Sequence, residues 1–277
     1  MRFVKTLDEI RRIQGIYAKC QFLGTRNLTV TFETTLEAIS ELLPPPLEPT
    51  PEPLGNAWIG EVNYSDAVGP FMGAALYVRA RYRDIVGNYC VTMPMSTPEA
   101  VTFGRELYGE PAKLARTVFE QQDEHVWGYV ERHQIRYMSM RGRMTEPAEA
   151  SRQQMSSFFF KYSHRVDGMG FDDPPLLVLL TRDTNVTVAK RGRGELVFRD
   201  SVNDPVSDIP IRQVIDAVYS EGHIYTSGRV LCEVDPDQFL PYAFTRIDSM
   251  EAVAESGQLR VAAARKTAQG KGQWRGS

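Results

Sequence analysis

The chain is dominated by short apolar and aromatic runs of β-strand character, and this succession constrains its fold more than any other feature. β-Branched or alternating runs that end at Gly, Pro, Asn or Asp are typical of strands. Few helical patterns separate them, so the strand–helix alternation of a dinucleotide-binding domain is missing. We predict strands at residues 28–34, 57–64, 73–82, 88–94, 125–131, 134–140, 157–162, 175–181, 185–190, 195–198 and 223–232.

Helical spacing is confined to a few segments between these strands. The clearest has Ile10, Ile13 and Ile16 on one side, and another places Pro98 at the first position of a helix. Gly192 and Gly194 lack a helix directly after them, so we interpret them as hairpin glycines and not as a dinucleotide loop. The predicted helices are residues 8–18, 36–43, 96–108 and 211–221, and residues 44–53 are a proline-rich connector.

Composition and charge exclude several classes of partner. The chain has 277 residues, 42% of them hydrophobic, and a formal net charge of −3. This charge gives no electrostatic reason to expect nucleic acid or an anionic membrane. Three cysteines without a C-x-x-C pair and four histidines make a zinc site improbable, so we expect no metal and no cofactor. No apolar run approaches the roughly 18–20 residues of a membrane span, and the first residues carry too many charges for a signal peptide. We therefore expect a cytoplasmic protein.

Domain organisation follows from a shift in composition near Met250. Residues 1–250 carry the strand pattern and are predicted to form one domain. Residues 251–277 have little apolar periodicity and end in a basic, glycine-rich stretch, so they are predicted to be a flexible C-terminal tail.

Three ordered motifs resemble the acetoacetate decarboxylase family. The first is L-L-P-P-P-L-E at residues 42–48, directly after a short predicted helix. The most specific is the block formed by G-N-Y at 87–89, E-A-V-T-F-G-R-E-L at 99–107 and P-A-K-L at 111–114. The third spans residues 186–223, and the resemblance covers roughly residues 20–250. It implies an α+β, mostly β fold, namely a closed, cone-like antiparallel β-barrel with flanking helices, assembled into homo-oligomers.

The family's chemistry depends on a lysine amine that this chain lacks. A β-keto acid loses carbon dioxide once a lysine converts its ketone to a protonated imine, and that lysine needs a lowered pKa to react at neutral pH. The resemblance assigns this role to position 112, which is alanine here, while the companion lysine is retained as Lys113. The family also has a catalytic carboxylate on the strand before the G-N-Y motif. No Asp or Glu occurs between Ala67 and Arg83, so two functional positions are lost together.

The remaining polar residues supply the candidate site. Glu61 resembles a second family carboxylate, and Arg26 lies near the family's substrate-carboxylate arginine, although strict spacing gives Thr25. Glu110 is close enough to position 112 to act as a general acid or base if desolvation raises its pKa. Lys113 is a displaced nucleophile or a solvated or outward-facing surface lysine. The candidate catalytic residues are Lys113, Glu61 and Glu110, and the candidate substrate-binding residues are Arg26, Tyr64, Tyr89, Tyr108 and Ala112.

Three functions are compatible with this pattern. The first is a lyase-type enzyme that acts on a small or medium oxo-acid or β-dicarbonyl compound by acid–base lyase, hydratase or cyclisation chemistry, without an imine. The second is a Schiff-base decarboxylase or aldolase-dehydratase that uses Lys113. The third is a non-catalytic barrel that binds a hydrophobic ligand. Polar side chains converging in the pocket favour the first function over the third.

Overall fold

The computed structural model describes residues 2–255, in which five α-helices and twelve β-strands follow one another. The helices are α1 Leu7–Ala18, α2 Leu36–Leu42, α3 Pro98–Tyr108, α4 Pro236–Phe239 and α5 Met250–Glu255. The strands are β1 Cys20–Glu33, β2 Glu48–Pro49, β3 Leu54–Ser65, β4 Phe71–Tyr82, β5 Ile85–Met95, β6 Ala112–Leu114, β7 Arg116–Gln122, β8 His125–Arg132, β9 Ile135–Pro147, β10 Arg152–Lys161, β11 Leu176–Phe198 and β12 Gln213–Glu233.

Seven strands close into a barrel in the order β10, β5, β4, β3, β1, β12 and β11, and β11 pairs back onto β10. The contact between β5 and β10 is parallel, whereas the other pairs in the ring are antiparallel. The second half of β11 extends beyond the ring and pairs with β9, which continues into β8 and β7. The predicted mostly β fold with a closed barrel is confirmed.

The two faces of the barrel strands have different neighbours. On β3, Trp58 points into the barrel and lines a cavity, while Ala57 and Ile59 on either side of it are fully buried in the main core. That core also contains Phe119 of β7 and Val130 of β8. Successive side chains of a strand point to opposite faces. The outward side chains therefore pack against β7–β9, and the inward side chains line the cavity.

The glycines predicted as a hairpin turn lie inside one continuous strand, so that prediction is wrong. Gly192 and Gly194 belong to β11, which merges three predicted strands. A β-carbon on Gly192 would lie 1.8 Å from the carbonyl oxygen of Arg143, and one on Gly194 would lie 2.4 Å from the β-carbon of Ala217. Here glycine permits close approach of neighbouring strands and a register shift next to Arg191, not a reversal of the chain.

The predicted helix at 211–221 is also wrong, because this segment is the first half of β12. It lies between β1 and β11 and pairs with both, for example through Tyr219 with Leu28 and Lys190. Val214, Ile215 and Val218 are β-branched and suit a strand. Tertiary pairing on both edges therefore outweighs the weak helical spacing.

None of the helices in the described part of the chain is long and apolar enough to cross a membrane. Helix α5 ends at Glu255, and most of the predicted flexible tail, residues 256–277, lies outside the described residues. The division into a domain of residues 1–250 and a tail stays a prediction.

Candidate active site

The barrel contains a cavity of about 330 Å³ whose wall is more apolar than polar. The cavity lies within the barrel because its lining side chains come from the inward positions of β1, β3, β4, β5, β11 and β12, with contributions from α3 and β10. The largest apolar side chains are Phe22, Trp58, Phe71, Met93, Met95 and Phe103. Polar groups in the wall include those of Tyr77, Tyr108, Glu110, Arg182 and Thr226.

The end of α3 directs Glu110 into this cavity. Thr97 caps the start of the helix by accepting a hydrogen bond from the amide of Ala100, and Pro98 follows it. At the other end Gly109 adopts φ +79°, a left-handed conformation that glycine tolerates best. The amide of Glu110 then donates to the carbonyl of Gly104 at 3.1 Å. This C-cap, which Arg246 reinforces by donating to the carbonyl of Gly109, fixes the position of the carboxylate.

Glu110 and Arg182 form a loose buried pair in the cavity wall. Oε1 of Glu110 lies 3.9 Å from a guanidinium nitrogen of Arg182, and the glutamate is only 8% exposed. Burial raises the pKa of Glu110, while the positive charges of Arg182 and Arg246 act in the opposite direction. Arg182 donates to the hydroxyl of Ser157 at 2.7 Å and lies over the Tyr77 ring. The arrangement therefore presents a carboxyl group suited to proton transfer beside a fixed cation.

Two tyrosines add hydroxyl groups to the same region. The hydroxyl of Tyr108 lies 3.3 Å from Sγ of Cys20 and 3.4 Å from the hydroxyl of Thr226. Burial raises the pKa of both Tyr77 and Tyr108, so both phenols stay protonated at neutral pH. A neutral phenol can donate a hydrogen bond to a developing oxyanion.

Ala112 does not line the cavity itself but lies behind its lining residues. It is fully buried and packs in one cluster with cavity-lining residues that include Ala75, Met93 and Tyr108. Strand β6 holds it beside Met93 of β5, and Nε of Arg105 donates to its carbonyl at 2.6 Å. The site therefore has a methyl group where the family resemblance implies an amine.

Lys113 points away from the cavity into a buried ion-pair cluster. Its Nζ donates to the carbonyl of Asn203 at 2.6 Å and lies 3.3 Å from Oδ1 of Asp204 and 3.2 Å from Oδ1 of Asp248. Arg132 pairs with both aspartates. The side chain of Lys113 is 5% exposed, so the alternative of a solvated surface lysine is wrong. As a displaced nucleophile it would have to leave this cluster.

Four further candidates do not line the cavity. Arg26 and Glu61 pair with each other at 2.8 Å, and Arg26 also donates to Gln121 of β7, which lies against the outer face of the barrel. Tyr64 is 53% exposed. Tyr89 packs edge-to-face on Phe160 in a second core cluster. The structure therefore brings Tyr108 and Glu110 together at the cavity, with Ala112 packed behind its lining residues, and leaves Arg26, Glu61, Tyr64, Tyr89 and Lys113 elsewhere.

Arg182 is the main residue that sequence reasoning missed. It follows the apolar run 176–180 on β11 and is 13% exposed through its side chain. A buried arginine is rare unless it is paired. The sequence feature that could have identified Arg182 is its position as a lone arginine at the end of an apolar strand. Within residues 2–255 no group of three or more His, Cys, Asp and Glu is placed to hold a metal ion.

Comparison with known proteins agrees with this architecture. A family model described as acetoacetate decarboxylase (ADC) matches residues 12–233. The acetoacetate decarboxylase of Burkholderia ambifaria is 24% identical over 202 residues, which cover 71% of this chain and 81% of that protein. The acetoacetate decarboxylase structure from Legionella pneumophila superposes with a TM-score of 0.71 at 20% identity, covering 77% and 87% of the two chains.

A third similar structure is MppR, an enduracididine biosynthesis enzyme complexed with the condensation product of pyruvate and imidazole 4-carboxaldehyde. Its TM-score is 0.68 at 15% identity, with 78% of this chain and 90% of that one covered. The structural likenesses establish the fold, and the family match spans most of the chain. Despite the alanine at position 112, the chain belongs to the acetoacetate decarboxylase family.

Proposed function

We propose that this chain is an enzyme that acts on a small or medium oxo-acid or β-dicarbonyl compound by acid–base chemistry, without a lysine imine. The observation that carries the proposal is the Glu110–Arg182 pair: a buried carboxylate and a guanidinium 3.9 Å apart in the wall of one cavity. The reaction class is lyase, hydratase or cyclisation chemistry at a carbon–carbon or carbon–oxygen bond.

The absence of an available amine supports an imine-free reaction. Position 112 is alanine, and no lysine is among the described residues that line the cavity. The amine of Lys113 donates to the carbonyl of Asn203 and to Oδ1 of Asp204, and it also forms an ion pair with Asp248. An ammonium held in this way has no lone pair with which to attack a carbonyl.

Proton abstraction next to a carbonyl is the step these groups suit best. Ionised Glu110 takes a proton from the carbon beside the substrate's carbonyl, and the electron pair of that C–H bond moves onto the carbonyl oxygen. Arg182 stabilises the resulting enolate, and the phenols of Tyr77 and Tyr108 are the neutral donors nearby. Glu110, now protonated, returns the proton to carbon or delivers it to a departing hydroxyl group, which leaves as water.

Two further features support an oxo-acid as the substrate. Guanidinium groups bind carboxylates strongly, often through two parallel hydrogen bonds, and Arg182 is a cation within the cavity. MppR, which shares the fold, holds a condensation product of pyruvate. A small-molecule carbonyl substrate, a homo-oligomeric assembly and a cytoplasmic location stay predictions.

Deuterium exchange tests the proposed step without knowledge of the full reaction. The purified protein is incubated in D₂O with a panel of 2-oxo and 3-oxo acids, and proton loss beside the carbonyl is followed by NMR. We expect faster exchange than in buffer for part of the panel. Glu110→Gln should slow it by about 10²-fold or more, because general acid–base groups contribute about 10²–10⁴-fold. Glu106→Gln, an exposed glutamate of the same segment, is the matched control.

Borohydride reduction distinguishes the proposed reaction from the alternative in which Lys113 forms an imine. If borohydride with a 3-oxo acid adds the mass of a reduced adduct, and Lys113→Met abolishes it, the Schiff-base function is correct and our proposal fails. If the acids bind but no member of the panel exchanges protons, the proposal also fails, in favour of the non-catalytic barrel.

A further inference from the structure

The inner face of β4 has unusually small side chains opposite large ones. Ala75 lines the cavity and lies directly across from Trp58 in the β3–β4 pairing, and Gly73 is on the same face of β4, two residues earlier. A β-carbon on Gly73 would lie 2.7 Å from Sδ of Met95, 3.4 Å from the Phe71 ring and 3.4 Å from the Trp58 ring. Three large apolar side chains therefore meet around a residue that has no side chain.

This region is where the family resemblance implies a catalytic carboxylate. Residues 73–77 read G-A-A-L-Y, so no charge is present there. The charged groups Glu110 and Arg182 come instead from the α3–β6 connection and from β11. The cavity lining thus contains both charged groups and large apolar side chains, and a ligand that contacts both needs one anionic and one apolar part.

The cavity volume sets the size of the apolar part. At about 330 Å³ it falls within the range of about 300–1,000 Å³ that is typical of sites for drug-sized ligands. A four-carbon keto acid would leave much of this apolar volume unfilled. Empty apolar surface contributes no binding free energy, whereas an apolar group that fills it gains about 25 cal/mol per Å² removed from water.

We propose that the substrate is an oxo acid whose carboxylate binds Arg182 and whose chain ends in a bulky apolar group, above all an aromatic ring, and that Ala75 determines this preference. The ring packs on Trp58, Phe71 and Met95, where aromatic and thioether contacts favour it. A larger residue at position 75 would occupy its place. This inference rests on the proposed function for the oxo group, while its selectivity for a bulky apolar acid is a property of binding alone.

Unreactive carboxylates test the selectivity apart from catalysis. Calorimetric titration compares 4-phenylbutanoate with butanoate, neither of which has a carbonyl group to react. We expect the wild-type protein to bind the phenyl compound at least tenfold more tightly. Ala75→Leu should weaken binding of the phenyl compound by about tenfold or more and change that of butanoate much less, because pocket methylenes discriminate by about 10–200-fold. Arg182→Met should weaken binding of both compounds.

Ala254→Leu, the same substitution at an exposed position of α5, is the control for the effect of the mutation on the protein as a whole. Equal wild-type affinity for the two acids overturns the inference even if no variant folds. Equal weakening of both acids by Ala75→Leu overturns it as well. Selective binding without proton exchange would reject the proposed function and leave this inference intact. Proton exchange restricted to short oxo acids would support the proposed function and reject this inference.

Discussion

The carboxylate of Glu110 occupies the space where a side chain on Gly104 would lie. A β-carbon on Gly104 would come within 2.1 Å of Oε2 of Glu110. Both residues are buried, and the amide of Glu110 also donates to the carbonyl of Gly104. The helix that positions the carboxylate therefore provides the room for it, through a glycine in its own last turns.

Gly104→Ala should consequently destabilise the protein and slow proton exchange. In an unobstructed helix the same change stabilises by about 1 kcal/mol, because glycine is the poorer helix former. Here the methyl group displaces the Glu110 carboxylate, and overpacking typically costs about 1–3 kcal/mol. Thermal unfolding and the deuterium-exchange rate measure the two effects.

Gly15→Ala is the matched control for that variant, because Gly15 lies in α1 and has no atoms within 4 Å of its added β-carbon. It should stabilise the protein slightly. The double variant Gly104→Ala/Glu110→Ala should recover part of the lost stability, since the clash is then removed. If stability does not recover, the contact between Gly104 and Glu110 is not the cause of the destabilisation by Gly104→Ala.

A second prediction concerns pH. Burial raises the pKa of Glu110 above its usual 4.5, so the folded protein binds this proton more tightly than the unfolded chain does. The stabilisation is complete below pH 4.5 and is lost as the pH rises through the raised pKa. The free energy of unfolding of the wild type, measured relative to Glu110→Gln, should therefore decrease with pH over this window. Urea denaturation of both proteins at a series of pH values checks the sign.

Proton exchange should change in the opposite direction, because the base must be ionised. Its rate should increase with pH through the same pKa, and this dependence should be absent in Glu110→Gln. A constant stability difference between the two proteins across the window would mean that Glu110 is not buried in the way the structure describes.

The local sequence explains why Glu110 could be predicted and Arg26 was misplaced. Glu110 follows a capped helix and a glycine, so its neighbourhood is set by adjacent residues. On β1, Phe22 lines the cavity, and strict alternation would place Arg26 on the same face. A register shift between Phe22 and Thr25, with Gly24 at φ +62°, turns Asn27 inward instead. A one-residue shift reverses every later side chain, and it cannot be read from the pattern.

Pairing across long distances in sequence explains the other differences. Arg182 becomes a cavity residue only because β10 and β12 flank β11 and close the barrel. The mostly β class was predictable from strand-like runs bounded by turn residues, and helix α3 from Pro98 at its first position, whereas the closed barrel was implied by the family resemblance. The glycines of β11 and the first half of β12 were not predictable, because their conformation depends on strands that are distant in sequence.

A third prediction separates structural from catalytic roles for Lys113. Its pairs with Asp204 and Asp248 are buried, and removing one partner of a buried ion pair costs about 3–5 kcal/mol. Lys113→Met should therefore lower the free energy of unfolding by about 3–5 kcal/mol. Arg116→Met breaks a largely exposed pair with Glu131 and should cost less than about 1 kcal/mol. If Lys113→Met leaves stability unchanged but abolishes activity, Lys113 acts on the substrate.

The last prediction concerns Ala112→Lys, which introduces an amine at the position to which the family resemblance assigns one. Ala112 is fully buried among apolar side chains, so a lysine there should cost about 1–3 kcal/mol in overpacking and should have a lowered pKa. Glu110 opposes that shift, and the double variant Ala112→Lys/Glu110→Gln should lower the pKa further. Borohydride trapping with a β-diketone across a pH series reports the pKa of the new lysine in the single and in the double variant, since only the free amine reacts. Trapping that follows a pKa near ~10.4, the value of a solvated lysine, would mean that position 112 does not face a buried site.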